Sequence, residues 1–194
     1  MPTSYTPNNT KNVSTTRGVT GGYIFRAATT VTDVPTNATW TPSNEGWKCL
    51  GYIPEDGLTE SVSQDSSTSL RDINLDLLDE VSGSYTETLN FALMEVKADA
   101  LAVYYGSQNV TDATGLITVD HNWSKAEETM QYALLLLLKD DRKMVKYIPQ
   151  GKVSERGDVT LNKTTAHQHE VTLTYPNDAT GSGCKDFIES TETS

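Results

Sequence analysis

Residues 47–61 read WKCLGYIPEDGLTES, an apolar run from Trp47 to Ile53 that stops at Pro-Glu-Asp-Gly and resumes as a polar stretch from Leu58. Pro54 fixes its own φ and closes the first run, and Gly57 accepts a positive φ at little steric cost, so residues 54–57 carry turn chemistry between two strands. Strand, tight turn and strand again is the grammar of a β-rich protein.

Working outward, Gly21 and Gly22 punctuate a short strand over Tyr23–Ala27, and the Thr/Pro/Asn-rich stretch Thr29–Gly46 reads as a long loop. Residues 1–17 are polar and lack apolar periodicity, which predicts a flexible arm that orders against a neighbouring subunit. Toward the C-terminus, Leu70–Leu78 alternates. Ile73, Leu75 and Leu77 fall on one face, expected to be buried, and Asp72, Asn74 and Asp76 on an acidic opposite face. Thr88–Val96 repeats the alternation with Leu89, Phe91 and Leu93, and the link VSGSY, with Gly83 at its turn, predicts a hairpin of these two strands. Lys97–Tyr105 has helical spacing, with Ala98, Leu101 and Tyr105 on one face and Gly106 placed for a left-handed C-cap. GLITVDHNW supplies a short strand and loop, and Val153–Leu161 and His167–Tyr175 read as further strands. The run MQYALLLLLKDDRKMVKYIP is ambiguous: Leu favours helix, and Ser124 with Glu127 has the spacing of a capping box.

At 194 residues the chain accommodates one domain, and 36% hydrophobic with 21% charged residues is an adequate core composition. The expected fold class is all-β to β-rich α+β, organised as the arm 1–17, a single domain 18–178 and a polar segment 179–194. With 15 basic and 26 acidic residues the formal net charge is −11, and no Lys/Arg cluster offers counterion-release binding to phosphate. Cys49 and Cys184 are too few and too far apart for a disulfide framework, which predicts two reduced thiols in a cytosolic setting. No apolar core of signal-peptide length occurs at the N-terminus, and no stretch approaches the ~20 apolar residues of a membrane span.

Candidate chemistry is sparse. His167 and His169 share a strand face, but no Cys or third His stands at motif spacing, so a packed or interfacial pair is expected in place of a metal site. The pairs Glu55/Asp56 and Asp72/Asp76 lack a recognisable nucleophile or desolvating pocket beside them, and G-x-S-x-G, the P-loop and the dinucleotide fingerprint are absent. Arg156-Gly157-Asp158 and the Asn-x-Ser/Thr triplets are the chance products of such a composition. No enzyme, cofactor or metal is expected.

The segment Leu50, Gly51, Tyr52, Ile53, Glu55, Asp56, Gly57, Thr59, Glu60, Ser61 resembles the turn of the major tail (tail tube) proteins of long-tailed bacteriophages, particularly those infecting actinobacteria. The blocks Leu70–Gly106 and Tyr147–Asp178 resemble the same family in the same order. The resemblance implies a β-sandwich or barrel-like protomer with one flanking helix, and reads the ambiguous Leu-rich run as two antiparallel strands, Met130–Lys139 and Met144–Ile148, with Pro149 closing the pair. It further implies hexameric rings stacked into a hollow tube for DNA passage, located in the virion tail and assembled in the host bacterial cytoplasm. Its partners would be copies of itself, a tape measure protein, a tail terminator and distal tail proteins, with genomic DNA passing through unbound and no membrane involved. Under this reading Glu55, Asp56, Gly57, Leu58, Thr59, Glu60 and Ser61 are expected at a subunit interface, the polar hairpin Leu58–Asp72 and the N-terminal arm supply the contacts between copies, and Asp72 and Asp76 lie on an acidic lumen wall. The alternative is a β-sandwich glycan- or receptor-binding module using loop aromatics such as Trp40 or Trp123.

Overall fold

The computed structural model describes residues 10, 13–43, 46–81, 84–176 and 183–190. In chain order these form β1 (Thr16–Gly18), β2 (Ile24–Ala28), β3 (Lys48–Cys49), β4 (Leu58–Gln64), β5 (Thr68–Arg71), β6 (Leu77–Val81), β7 (Tyr85–Leu93) and α1 (Ala98–Tyr105). There follow β8 (Val110–Ala113), β9 (Leu116–Val119), β10 (Thr129–Leu138), β11 (Lys143–Arg156), β12 (His169–Tyr175) and β13 (Lys185–Ile188). The main sheet runs β3-β2-β10-β11-β12-β7-β4, with β1 added beside β10 and β13 beside β11; its strand pairs are all antiparallel. The β-rich class expected from composition is the observed one, with a single α-helix among the described residues.

The Leu-rich run is strand, because alternation serves two cores at once. Tyr132, Leu134 and Leu136 enter the main cluster with Leu89, Phe91, Leu93, Val171 and Leu173. Ala133, on the opposite face, enters a second cluster with Ala27, Trp47 and Tyr147. Burial on both faces outweighs the helical preference of Leu, which is a weak prior. The sheet curls on itself: Met94 N–H, just past β7, donates to Tyr52 O, just past β3, at 3.0 Å. The helix closes the curl, placing Ala100, Val103 and Tyr104 in the main cluster. Gly106 ends it with φ 91° and ψ 140°, a positive φ but not the left-handed helical conformation expected. A Cβ there would lie 2.6 Å from Ala126 Cα, so the close approach itself demands glycine.

The long loop after β2 is held down as a lid over the second cluster. Gln131 Nε2 donates to Ala28 O and Val31 O, both at 2.9 Å, and Trp47 Nε1 donates to Asp33 O at 2.7 Å. Trp40 packs edge-on against Trp47, with ring centroids 5.2 Å apart.

Four expectations need correction. Leu70–Leu78 is not one strand: β5 ends at Arg71, a turn occupies 72–76, and β6 starts at Leu77. Asp72 drives that turn, its Oδ1 accepting from Asn74 N (2.9 Å) and Asp76 N (2.8 Å), an Asx arrangement that competes with a strand ladder. The alternation is real, yet Ile73 is 98% exposed and Leu75 is 73% exposed. The turn foreseen at Gly83 falls outside the described residues. Second, Leu58–Asp72 is not a hairpin by itself, since β4 pairs with β7 and β5 with β6. Third, Pro149 does not close β11, which continues to Arg156; the proline stands where the β10–β11 register shifts between Met130 and Tyr132, a bulge that needs no N–H. Val153 therefore belongs to β11, and Val159 and Leu161 lie beyond any strand. Fourth, the sheet recruits Thr16–Gly18 and Lys185–Ile188, from outside the expected span 18–178, so neither flank is wholly an appendage.

Candidate functional site

Register places β4 to β7 in one continuous hairpin. Gln64 pairs with Tyr85 and Thr68 with Val81, and each pair sums to the same residue total, so β5–β6 prolongs β4–β7 in phase. Leu58 to Leu93 is thus a single arm whose turn is the Asp72–Asp76 tip. Its base is rooted in the core through Leu89, Phe91 and Leu93. Its distal part is exposed on both faces, including Val62, Leu70, Ile73, Leu75, Leu77 and Leu78, each more than half exposed. Leu75 holds φ 68°, a left-handed conformation that costs a β-carbon-bearing residue about 1–2 kcal/mol.

The residues expected at an interface lie at the arm's root. Pro54–Gly57 forms the foreseen turn, with Gly57 N–H donating to Pro54 O at 3.0 Å and Gly57 at φ 76°. Glu55 and Asp56 project from it in the open. Leu58, Thr59, Glu60 and Ser61 begin β4, which ends the sheet, so its outer backbone groups have no strand partner among the described residues. Asp72 and Asp76, expected on an acidic strand face, sit instead at the arm's tip with their backbones bonded to each other, Asp72 N–H to Asp76 O at 3.0 Å.

A charge node that sequence reasoning missed sits beneath the root. Lys146 of β11 is 7% exposed, facing inward opposite Leu134. Its Nζ donates to Glu60 Oε1 (3.0 Å), Glu60 Oε2 (3.1 Å) and Asp186 Oδ2 (3.1 Å), and Tyr175 Oη donates to Glu60 Oε1 at 2.8 Å. Burial pushes the Lys146 ammonium down, but the bonds to Asp186 and Glu60 outweigh it and its pKa ends above the usual lysine range. Burial raises Glu60, and Lys146 with Tyr175 more than reverse this, holding it below the usual carboxylate range. Burial pushes the Cys184 thiol beside them up to about 12. The only sequence signal was a lysine inside an otherwise apolar alternation, MVKYI. The node thereby ties the edge strand β4 and the C-terminal strand β13 to the middle of the sheet. A cavity of about 930 Å³ opens beside it, lined by Tyr23, Ile53, Leu58, Leu89, Leu134 and Lys146 among others.

The remaining motifs are structural. His167 and His169 do share a face, ring centroids 4.6 Å apart, and His169 is buried against Tyr104 and Tyr105 with Nδ1 unpartnered. Burial, then the neighbouring His167, lowers its pKa, which favours the neutral ring. No group of three or more His, Cys, Asp or Glu able to hold a metal occurs among the described residues. Arg156 of the Arg-Gly-Asp tripeptide is committed inward, its Nε donating to Tyr104 O at 2.6 Å and its guanidinium lying 5.6 Å from the Trp123 ring centroid. Trp123 also stacks on Tyr105 while half exposed, and Trp40 meets Trp47 edge-on. No helix among the described residues is long and apolar enough to cross a membrane.

The structure thus leaves the distal part of its longest hairpin exposed and the β4 edge of the sheet without a strand partner among the described residues. The chain belongs to the phage tail tube protein family, which matches residues 7–193. It is accordingly a structural component of the virion tail and not an enzyme. Among solved structures, similarity is found to the tail of an empty gene transfer agent particle refined with C6 helical symmetry, at 6% identity and TM-score 0.38, covering 87% of this chain and 96% of that one. A chain from the virion of a native gene transfer agent particle matches at 9% identity and TM-score 0.38, covering 74% and 89%. No curated protein sequence matches the chain.

Proposed function

We propose that copies of this chain close into hexameric rings that stack as a hollow tube for genome passage in a long-tailed phage, of the kind that infects actinobacteria. The observation that carries this reading is the arm Leu58–Leu93, whose apolar distal residues have no cover among the described residues. An open β4 edge suits strand-to-strand contact between neighbours in a ring, with Glu55–Ser61 at the junction, and a contact that closes by rotation produces a ring. The arm then supplies a second, non-closing contact to another copy, which extends the stack. Assembly takes place in the host cytoplasm around a tape measure protein, between distal tail proteins and a terminator.

A bore lined by the Asp72/Asp76 strand face is no longer supported, since those residues cap the arm's turn. Negative-stain microscopy of the purified protein, alone and with tail initiator proteins from the same phage, should give rings or tubes of uniform bore. Discrete monomers under both conditions would count against the reading. The glycan-binding alternative predicts such monomers together with signal on a glycan array.

A further inference from the structure

The outer face of strands β12, β7 and β4 has a composition that its neighbours lack. Register aligns Thr172, Asn90 and Thr59 in one cross-strand row, and Thr174, Thr88 and Ser61 in the next. Directly opposed residues share a face, and these alternate with the buried Val171, Leu173, Leu89 and Phe91, so the rows lie on the side away from the core. The three strands contain none of the chain's 15 Lys and Arg residues, so all its cations lie elsewhere. In a chain of net charge −11 the two rows are also free of carboxylates, and Glu170 stands beside them as the face's one charge. On the neighbouring β11, Glu155 stands opposite Thr172, and Lys152, opposite Thr174, is paired with Glu127 at 2.7 Å.

The polar groups of this face are partly spent on one another. Asn90 Nδ2 donates to Glu170 Oε1 (3.0 Å) and Thr172 Oγ1 (3.1 Å), Thr174 Oγ1 donates to Ser154 Oγ, and Ser154 Oγ donates to Thr172 O. Phosphodiester oxygens only accept hydrogen bonds, so the donors of Asn90 and Thr174, spent within the sheet, are not offered to a duplex. Without Lys or Arg it also lacks the counterion-release term that supplies most non-specific DNA affinity. Hydroxyl and amide groups keep it wet, so it has no apolar patch for another subunit to cover.

We propose that this cation-free hydroxyl and amide face of β12-β7-β4 is the wall of the bore, the surface along which double-stranded DNA slides. The inference rests on the tube reading above and replaces electrostatic repulsion by Asp72 and Asp76 with absence of adhesion.

The test is site-directed labelling of assembled tubes carrying Thr88→Cys or, as a second reporter, Thr174→Cys, with unsubstituted tubes as the blank. A small maleimide should label the new thiol, and a maleimide on a polymer too wide for the bore should not. Labelling by both reagents places the face on the outer wall, and labelling by neither, or loss of assembly in both variants, places it between copies; any of these overturns the proposal. Failure of the unsubstituted chain to form tubes would speak instead against the tube reading. A second arm uses Thr88→Lys with Thr172→Lys. Such tubes should retain duplex DNA at about 50 mM salt and release it at about 200 mM, whereas unsubstituted tubes retain none at either. Equal retention by both would also overturn the proposal.

Discussion

Strand β10, an unbroken apolar run from Tyr132 to Leu138, and the distal arm, where Ile73, Leu75 and Leu77 alternate with polar residues, end in opposite environments. In β10 every residue from Gln131 to Leu136 is buried, one face in the main core and the other under the Trp40/Trp47 loop. In the arm, Leu70, Ile73, Leu75 and Leu77 are exposed, although the last three alternate with Asn74 and Asp76 as a half-buried strand would. The contrast teaches that alternation reports two faces and says nothing of what covers them. In β10 the cover is this chain; for the arm, under the tube reading, it is another copy.

That contrast breaks or sharpens at four points. Phe91, 1% exposed where the arm enters the core, should cost about 3–5 kcal/mol as Phe91→Ala, read by denaturant unfolding; a cost below about 1 kcal/mol would mean the arm's root is not part of the core. Lys146→Met strands the two carboxylates it serves and should cost about 1–3 kcal/mol. This is less than for a fully buried pair, because Glu60 and Asp186 are more than a third exposed. The same node sets a pH dependence. Glu60 is depressed in the fold, so its stabilisation is present above the ordinary value of 4.5 and is lost as pH falls through the lower folded value. Lys146 is raised, so its share is complete below 10.5 and is lost only as pH rises through the elevated folded value. Unfolding midpoints below pH 4.5 should therefore drop more steeply for the unsubstituted chain than for Glu60→Gln.

Leu75→Gly, which relieves the positive φ, should stabilise the isolated chain by about 1 kcal/mol or leave it unchanged; a clear loss would show that the tip is held by contacts of the leucine side chain. Smallest for the monomer and decisive for assembly, Ile73→Asn with Leu77→Asn should alter monomer stability by no more than about 0.5 kcal/mol yet abolish stacking in the microscope. Normal tubes from this variant would remove the arm from the assembly contact.

Much of the fold was legible because its signals are local. Pro54 to Gly57 announced a turn by φ restriction at one end and φ freedom at the other. Lys97–Tyr105 announced a helix by spacing, and the charged link 139–142 separated two strands. What remained hidden depends on distant partners. Asp72 looks like one member of an alternating strand until its carboxylate is seen accepting two backbone N–H groups. Pro149 looks terminal until a bulge in its own strand, where Pro149 and Gln150 stand against Gln131 alone, removes the need for its missing N–H. Lys146, Glu60 and Asp186 meet across separations of 86 and 40 residues, which no local pattern records. Of the candidate interface, the turn and the edge strand were readable, but the arm's true length was not, since it emerges only from the shared phase of two strand pairs.

The first and last described strands of the chain fasten to one turn. Beside β1, Lys139 N–H donates to Ser14 Oγ (2.8 Å) and Arg17 pairs with Asp141; beside β13, Lys143 N–H donates to Glu189 Oε2 (2.8 Å) and Arg142 to Glu189 O (3.1 Å). Tension entering along one terminal strand therefore leaves along the other after crossing only the β10–β11 ribbon. Strain from a bending or stretched filament, delivered through those strands, would load the stiffest ribbon of the molecule and bypass the curled wall beside it.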